Sequence, residues 1–396
     1  MPAARIVGID VARALALLGM VMAHMIEPLT DGGEAVSPWY LLVSGRSSAL
    51  FAVLAGVSIA LSTQGLGPDS RPGLREGARV SLATRAASIA VIGLFLGTLS
   101  SGVAVILTYY GVLFLCALPV LSWSARRLGL LAAAWAVASP IMSVSLRAWL
   151  PEPTYDLPSP TFVLDPALLL SEITVTGYYP VLTWATYLFA GMAIGRLDLR
   201  APTTAVRLLT TGLWLAVVSV VVSALLTRSR SVGRILLDSY QGFGDVSTRT
   251  DLTRELQLGF FGTTPTDSWW WLGVWSPHSG SIVDLLHTTG AAMAVLGGCL
   301  LLTSRLSVRG RRRLSIVAGA GTMTLTLYVV HVVLLAAPEQ IAWADRIPVQ
   351  VALLLGVGAL FAAARARGPL EGVVSQLSAA AVRATSDTPT DRLRRR

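Results

Sequence analysis

The sequence predicts an all-α, polytopic integral membrane protein with about ten transmembrane helices and both termini in the cytoplasm. Three observations lead there. Of 396 residues, 54% are hydrophobic and 13% charged, against about a quarter charged in soluble domains. Apolar runs near 20 residues, the length a bilayer crossing needs, recur along the chain. The arginines then fall in alternate loops, as the positive-inside bias requires. The net charge of +9 is carried by arginine alone, because the sequence has no lysine and no asparagine. That bias points to a GC-rich bacterial genome, and no nucleic-acid partner is expected.

The runs, in order, are 9–26, 47–62, 83–100, 103–121, 128–146, 178–197, 208–226, 282–302, 314–337 and 349–366. The first follows Arg5 as a secretory signal would, yet Asp10, Arg13 and His24 within it and the many later spans argue for a retained anchor. With the N-terminus inside, the loops bearing Arg71, Arg75 and Arg79, Arg126 and Arg127, Arg196, Arg200 and Arg207, and Arg305, Arg309 and Arg311 to Arg313 all fall on the cytoplasmic face. The tail with Arg392 and Arg394 to Arg396 joins them. Residues 1–369 therefore form a membrane domain with large extracytoplasmic loops at 147–177 and 227–281. Residues 370–396 are expected to be a short interfacial helix and a basic cytoplasmic tail. The first loop is rich in proline and acid; the second ends in Trp269, Trp270, Trp271 and Trp275. These rings fit an interfacial aromatic belt or a platform for sugar faces. Cys116 and Cys299 lie inside apolar runs and read as packing residues.

Ionisable groups within the hydrocarbon are costly and mark a working site by default. Arg13 and His24 are eleven positions apart, which at about 100° and 1.5 Å per residue puts them on one helix face, roughly 16 Å apart. Arg13 lies at the cytoplasmic mouth, where a fixed cation suits a phosphate or carboxylate. His24, His287 and His331 reach similar depths on three separate runs. The plain alternative for His287 or His331 is a ring tied to a neighbouring carbonyl or hydroxyl. Asp284, one turn before His287, either orients that imidazole or caps its helix. No helix carries two histidines at ligand spacing, so no metal is expected.

RIVGIDVARALALLGMVMAH (residues 5–24) resembles the first-helix signature of the acyltransferase-3 family, with arginine and histidine separated by ten residues. GAGTMTLTLYVVHVVLL (319–335) resembles that family's late helix, with tyrosine and histidine three apart. ALFAVLAGVSIAL (49–61) is similar to the second helix of the heparan-α-glucosaminide N-acetyltransferase group, and RARGPLEGVV (365–374) to the ending of bacterial relatives. The resemblance implies transfer of an acyl group from cytoplasmic acyl-CoA, with acetyl-CoA the expected donor, to a hydroxyl or amine of an extracytoplasmic glycan or lipid-linked sugar. It implies His24 as the catalytic imidazole and Arg13 as a donor contact. One departure bears on the acceptor. The glucosaminide enzymes carry their active histidine, after an asparagine, in the first outer loop, and Met25 to Arg46 contains neither.

On this reading His24 is a general base or transient acyl carrier, assisted by His287, His331 and Asp284. Arg46 either stabilises an oxyanion or snorkels at a helix end. Arg75, Arg79 and Arg85 are candidates for the donor phosphates, although positive-inside loops carry such residues anyway. The expected location is the bacterial cytoplasmic membrane, with membrane lipids as further partners. A proton-coupled transporter or flippase would use the same histidines, but the chain lacks the internal repeat that marks many of them.

Overall fold

The computed structural model describes residues 5–386 except 31, 34, 68–69, 241–245, 338–342 and 344–345. The described residues are helical, with no strand beyond one isolated bridge between Leu29 and Val36. In chain order the α-helices are α1 (Val7–Met25), α2 (Pro38–Val43), α3 (Arg46–Ser62), α4 (Pro72–Leu96), α5 (Leu107–Leu115) and α6 (Ala125–Arg147). There follow α7 (Pro166–Ser171), α8 (Val181–Gly195), α9 (Pro202–Arg228), α10 (Arg230–Asp238) and α11 (Arg249–Leu258). The last five are α12 (Ile282–Arg305), α13 (Val308–Val317), α14 (Thr324–Leu335), α15 (Ile347–Ala363) and α16 (Pro369–Ser386).

Local chemistry explains where these begin. Proline occupies the first turn of α4, α9 and α15, where its missing N–H costs nothing. Ser124, Thr248, Ser281 and Ser307 cap α6, α11, α12 and α13 through their hydroxyls. Gly45, at φ 69°, makes the sharp entry into α3 that a residue with a Cβ would resist.

Six helices, counting α2 and α3 as one, are long and apolar enough to cross a membrane, and α13 with α14 makes a seventh if that pair, bent by 58°, is a single span. The chain is a polytopic membrane protein. All ten apolar runs overlie helices, but α8 has 15 residues and α15 has 17, about 23 and 26 Å at 1.5 Å per residue, short of a hydrocarbon core of about 30 Å. The predicted ninth run is broken at Met323, between a tight turn over Ala318–Thr322 and α14. Small residues make that break possible: a Cβ on Gly321 would strike the Asp10 carbonyl of α1, and one on Gly319 the backbone of Gly358 in α15.

Where helices lie closest, glycine faces backbone. Gly56 of α3 meets Leu188 of α8 while Gly191 returns the contact to Val53, and Gly212 of α9 opposes Gly290 of α12. Such close approach is how helices associate where lipid supplies no hydrophobic drive. The single large core runs through α1, α3, α5, α8 and α12.

Both long loops contain structure of their own. The loop over 147–177 holds α7 and a π-turn at Glu172–Thr176. The loop over 227–281 has a small separate core of Val232, Leu236, Leu252, Leu256, Trp271 and Val274. Beyond residue 369 the chain forms a helix, α16, one face of which packs on α4, burying Val374 and Ser378, while Val373 and Leu377 face outward. The basic tail beyond Ser386 lies outside the described residues.

Candidate active site

Two cavities open at different depths of the bundle, and α1 supplies a side chain to each. The larger, about 1190 Å³, is lined by His24, Tyr40, Ser47, Tyr179, His278 and Tyr328, with a mouth formed by the long loops at Arg147–Leu157 and Leu258–Thr266. The smaller, about 820 Å³, is lined by Arg13, Ser58, Arg85, Arg367 and Glu371, together with Phe51, Leu54 and Phe114. Only a thin layer separates them. Ile106 lines the first and Leu107 the second; Ser48 and Phe51, and Tyr328 and Leu325, are pairs one helical turn apart that divide the same way, a spacing of about 5 Å along a helix. Two phenols pin this layer: the Tyr110 hydroxyl donates to the Ser48 carbonyl at 3.1 Å, and the Ile106 N–H donates to the Tyr328 oxygen at 3.3 Å.

In the larger cavity His24 Nδ1 lies 3.0 Å from His331 Nε2, and His331 Nδ1 lies 2.6 Å from Gln350 Oε1 of α15. The two rings are nearly coplanar, 6° apart with centroids 5.3 Å apart, so they meet edge to edge. His331 and Gln350 are fully buried, and His24 is the member of the three that reaches the cavity wall. His278 faces the same space from the second long loop, held in the left-handed region at φ 57° against the Tyr179 ring. Burial pulls its pKa down to about 4, so this imidazole is neutral near pH 7.

His287 stands elsewhere, and here the expectation that it assists His24 is corrected. Its Nδ1 donates to the Ala216 carbonyl of α9 at 3.0 Å, and its Nε2 accepts from Arg46 Nε at 3.0 Å. Arg46 also donates to the Leu41 carbonyl and stacks over Trp275, whose ring abuts His287. With both nitrogens engaged, His287 reads as an anchor for Arg46, and neither lines either of the two cavities. Of the two roles open to Asp284, the orienting bond to His287 does not form. The Asp284 carboxylate turns back to accept the Gly280 N–H at 3.2 Å, ahead of the Ser281 cap, so it serves the helix start.

Around the smaller cavity, Arg13 divides its guanidinium between Asp10, at 3.4 Å, and the Ser58 hydroxyl. Arg85 lies over the Phe114 ring at 5.7 Å. Arg367 reaches Ser375 at 3.2 Å. Glu371, the lone carboxylate on the wall, is occupied by the amides of Leu325 and Thr326 and the Thr326 hydroxyl at the start of α14. The balance of charge facing this space is positive. Arg75 and Arg79, expected beside Arg85, are absent from both walls. Arg75 is turned to the Gly67 carbonyl at 2.7 Å, and Arg79 is exposed on α4, because they lie ten and six positions before Arg85, up to about three turns further along the helix. The tryptophan block also lies away from both walls: Trp271 is buried in the loop core, whereas Trp269 and Trp270 are exposed.

Three contributors were passed over in the sequence. Gln350 is an isolated amide in an apolar run, and the argument applied to the histidines finds it equally well. Arg367 sits in the quoted RARGPLE stretch. His278 carries no such signal, being a loop residue whose approach to the cavity depends on the path of the whole second loop.

The model of the family described as heparan-alpha-glucosaminide N-acetyltransferase, catalytic, matches residues 5–228. That segment holds Arg13, His24, Arg46 and Arg85 and ends with α9, before His278, His331, Gln350 and Arg367. No curated protein matches the chain.

Proposed function

Since the chain belongs to the heparan-α-glucosaminide N-acetyltransferase catalytic family, and with it to the membrane acetyltransferases, we propose that it carries an acetyl group from cytoplasmic acetyl-CoA to a hydroxyl or amine of an extracytoplasmic sugar. The observation that carries this reading is the pair of cavities joined by α1, with Arg13 on one and His24 on the other. A cationic chamber with apolar walls suits a phosphorylated nucleotide bearing a thioester arm. A chamber lined with imidazole and phenol, with Glu27, Arg147, Glu152 and Glu255 also on its wall, suits a polyhydroxy acceptor.

In the transfer, the acceptor oxygen or nitrogen bonds to the thioester carbonyl carbon and the carbon–sulfur bond breaks. His24 takes the acceptor proton and returns it to the departing thiolate, general-base work typically worth about 10² to 10⁴ in rate. Arg13, Arg85 and Arg367 hold the donor phosphates. Arg46, fixed by His287, braces the entry to α3. Ten crossings with both termini cytoplasmic remain the topology proposed: α5, α8 and α15 act as short spans, α13 and α14 as one bent span, and the Arg13 chamber faces the cytosol.

The test is release of CoA thiol from acetyl-CoA by the purified protein in lipid nanodiscs, with and without a saccharide pool extracted from cell envelopes. Acceptor-dependent thiol release coupled to label transfer into saccharide is expected. Solute movement without thiol release would assign the chain to transport instead.

A further inference from the structure

We propose that Gln350 sets the tautomer of a two-imidazole chain, so that His24 presents an unprotonated Nε2 to the larger cavity and His331 acts as a positioning residue. This deepens the acetyl-transfer reading and rests on it for its catalytic meaning. The chain can be followed atom by atom. A side-chain carbonyl oxygen only accepts hydrogen bonds, so Gln350 Oε1, 2.6 Å from His331 Nδ1, requires the proton there. A neutral imidazole carries one proton, which leaves His331 Nε2 as an acceptor. The nitrogen facing it at 3.0 Å, His24 Nδ1, must then donate. His24 Nε2 is the nitrogen left bare. The near-coplanar rings place that hydrogen bond in the plane of both lone pairs, the orientation in which it is strongest.

Burial gives the arrangement its force. His331 and Gln350 are sealed from solvent, so water does not scramble the choice of tautomer. If the amide were turned over, its NH₂ would face His331 Nδ1 and every proton in the chain would reverse. His331 Nε2 would donate to His24 Nδ1, and His24 Nε2 would carry hydrogen and be useless as a base. One buried amide thus decides between a competent and an incompetent His24. During transfer, the acceptor proton moves to His24 Nε2 as the new bond to the acyl carbon forms. The resulting imidazolium is stabilised through Nδ1–H by His331, whose own Nδ1–H is held by Gln350. The proton then leaves with the CoA sulfur, and the chain returns to its starting state.

The first measurement is independent of activity. Nitrogen-15 spectra of histidine-labelled protein in nanodiscs, with His24 assigned by its loss in His24→Ala, report which ring nitrogen bears hydrogen. The expected result near pH 7 is a protonated Nδ1 and a bare Nε2; hydrogen on Nε2 overturns the proposal whether or not the protein transfers acetyl. The second measurement uses Gln350→Met and Gln350→Glu. Met, which cannot accept the bond from His331 Nδ1–H in the same way, should lower kcat by about 10² with KM for acetyl-CoA unchanged, whereas Glu, which offers the same acceptor oxygen, should retain most of kcat. Equal kcat in Met and wild type also overturns it. Should Gln350→Met not fold, the wild-type spectrum still decides. If the spectrum is as expected but no saccharide accepts acetyl, the functional reading fails and the tautomer assignment stands.

Discussion

The two cavities are opposites built on one helix. Around Arg13 the wall is cationic, and its single carboxylate is spent on helix α14. Around His24 the wall carries imidazoles and phenols, and charge of both signs from Glu27, Arg147, Glu152 and Glu255. The difference teaches that the bundle separates gripping from chemistry. On the proposed function, arginines hold the anionic donor at one depth and His24 moves the proton at another.

The sharpest test of that division is His24→Ala. It should lower kcat by about 10² to 10⁴ and leave acetyl-CoA binding intact, as checked by thiol release and by isothermal titration; normal turnover would break the contrast. Next comes Arg13→Ala. Loss of one charge-assisted contact, about 1.5 to 3 kcal/mol, should raise the KM for acetyl-CoA about tenfold or more with a smaller change in kcat. Arg75→Ala, remote from the cavity, should leave KM unchanged.

His278 offers a test by pH. Its folded pKa, about 4, lies below the ordinary 6.5, so the unfolded chain binds the proton first as pH falls. Its contribution to stability is therefore intact above pH 6.5 and lost progressively from 6.5 down toward 4. Thermal unfolding in nanodiscs should show that decline, and His278→Gln should flatten it. The smallest effect is expected for Trp269→Ala. The ring is exposed and off both walls, so kcat and acceptor KM should not move; a marked rise in acceptor KM would extend the site to the loop surface.

How much of this was legible in the sequence depended on the range of the contact. Period and hydropathy gave the helices, because each apolar run is a local property, and the spacing of Arg13 and His24 gave one shared face by helix geometry alone. Depth along a span was also readable, and it correctly suggested that residue 331 and residue 24 lie at one level. Rotation about the helix axis was not. His287, expected at the same level, points at α9, because the facing of α12 is fixed by its glycine seam with α9. The break at Met323 escaped for a related reason: the run is uniformly apolar, and only the close approach of α1 and α15 to Gly321 and Gly319 shows that it cannot continue straight. His278 needed the fold of a 55-residue loop, beyond the reach of any local pattern.

That α1 bears both Arg13 and His24 has a consequence for how the enzyme can vary. Inserting a single amino acid between them would turn everything downstream by about 100° and lengthen the rod by about 1.5 Å, swinging the imidazole off His331 while the guanidinium stayed in place. Substitutions along this stretch can be absorbed one at a time, but its length cannot drift. On the proposed function, donor grip and proton transfer are therefore bound to inherit a fixed interval, as two teeth cut on the same key.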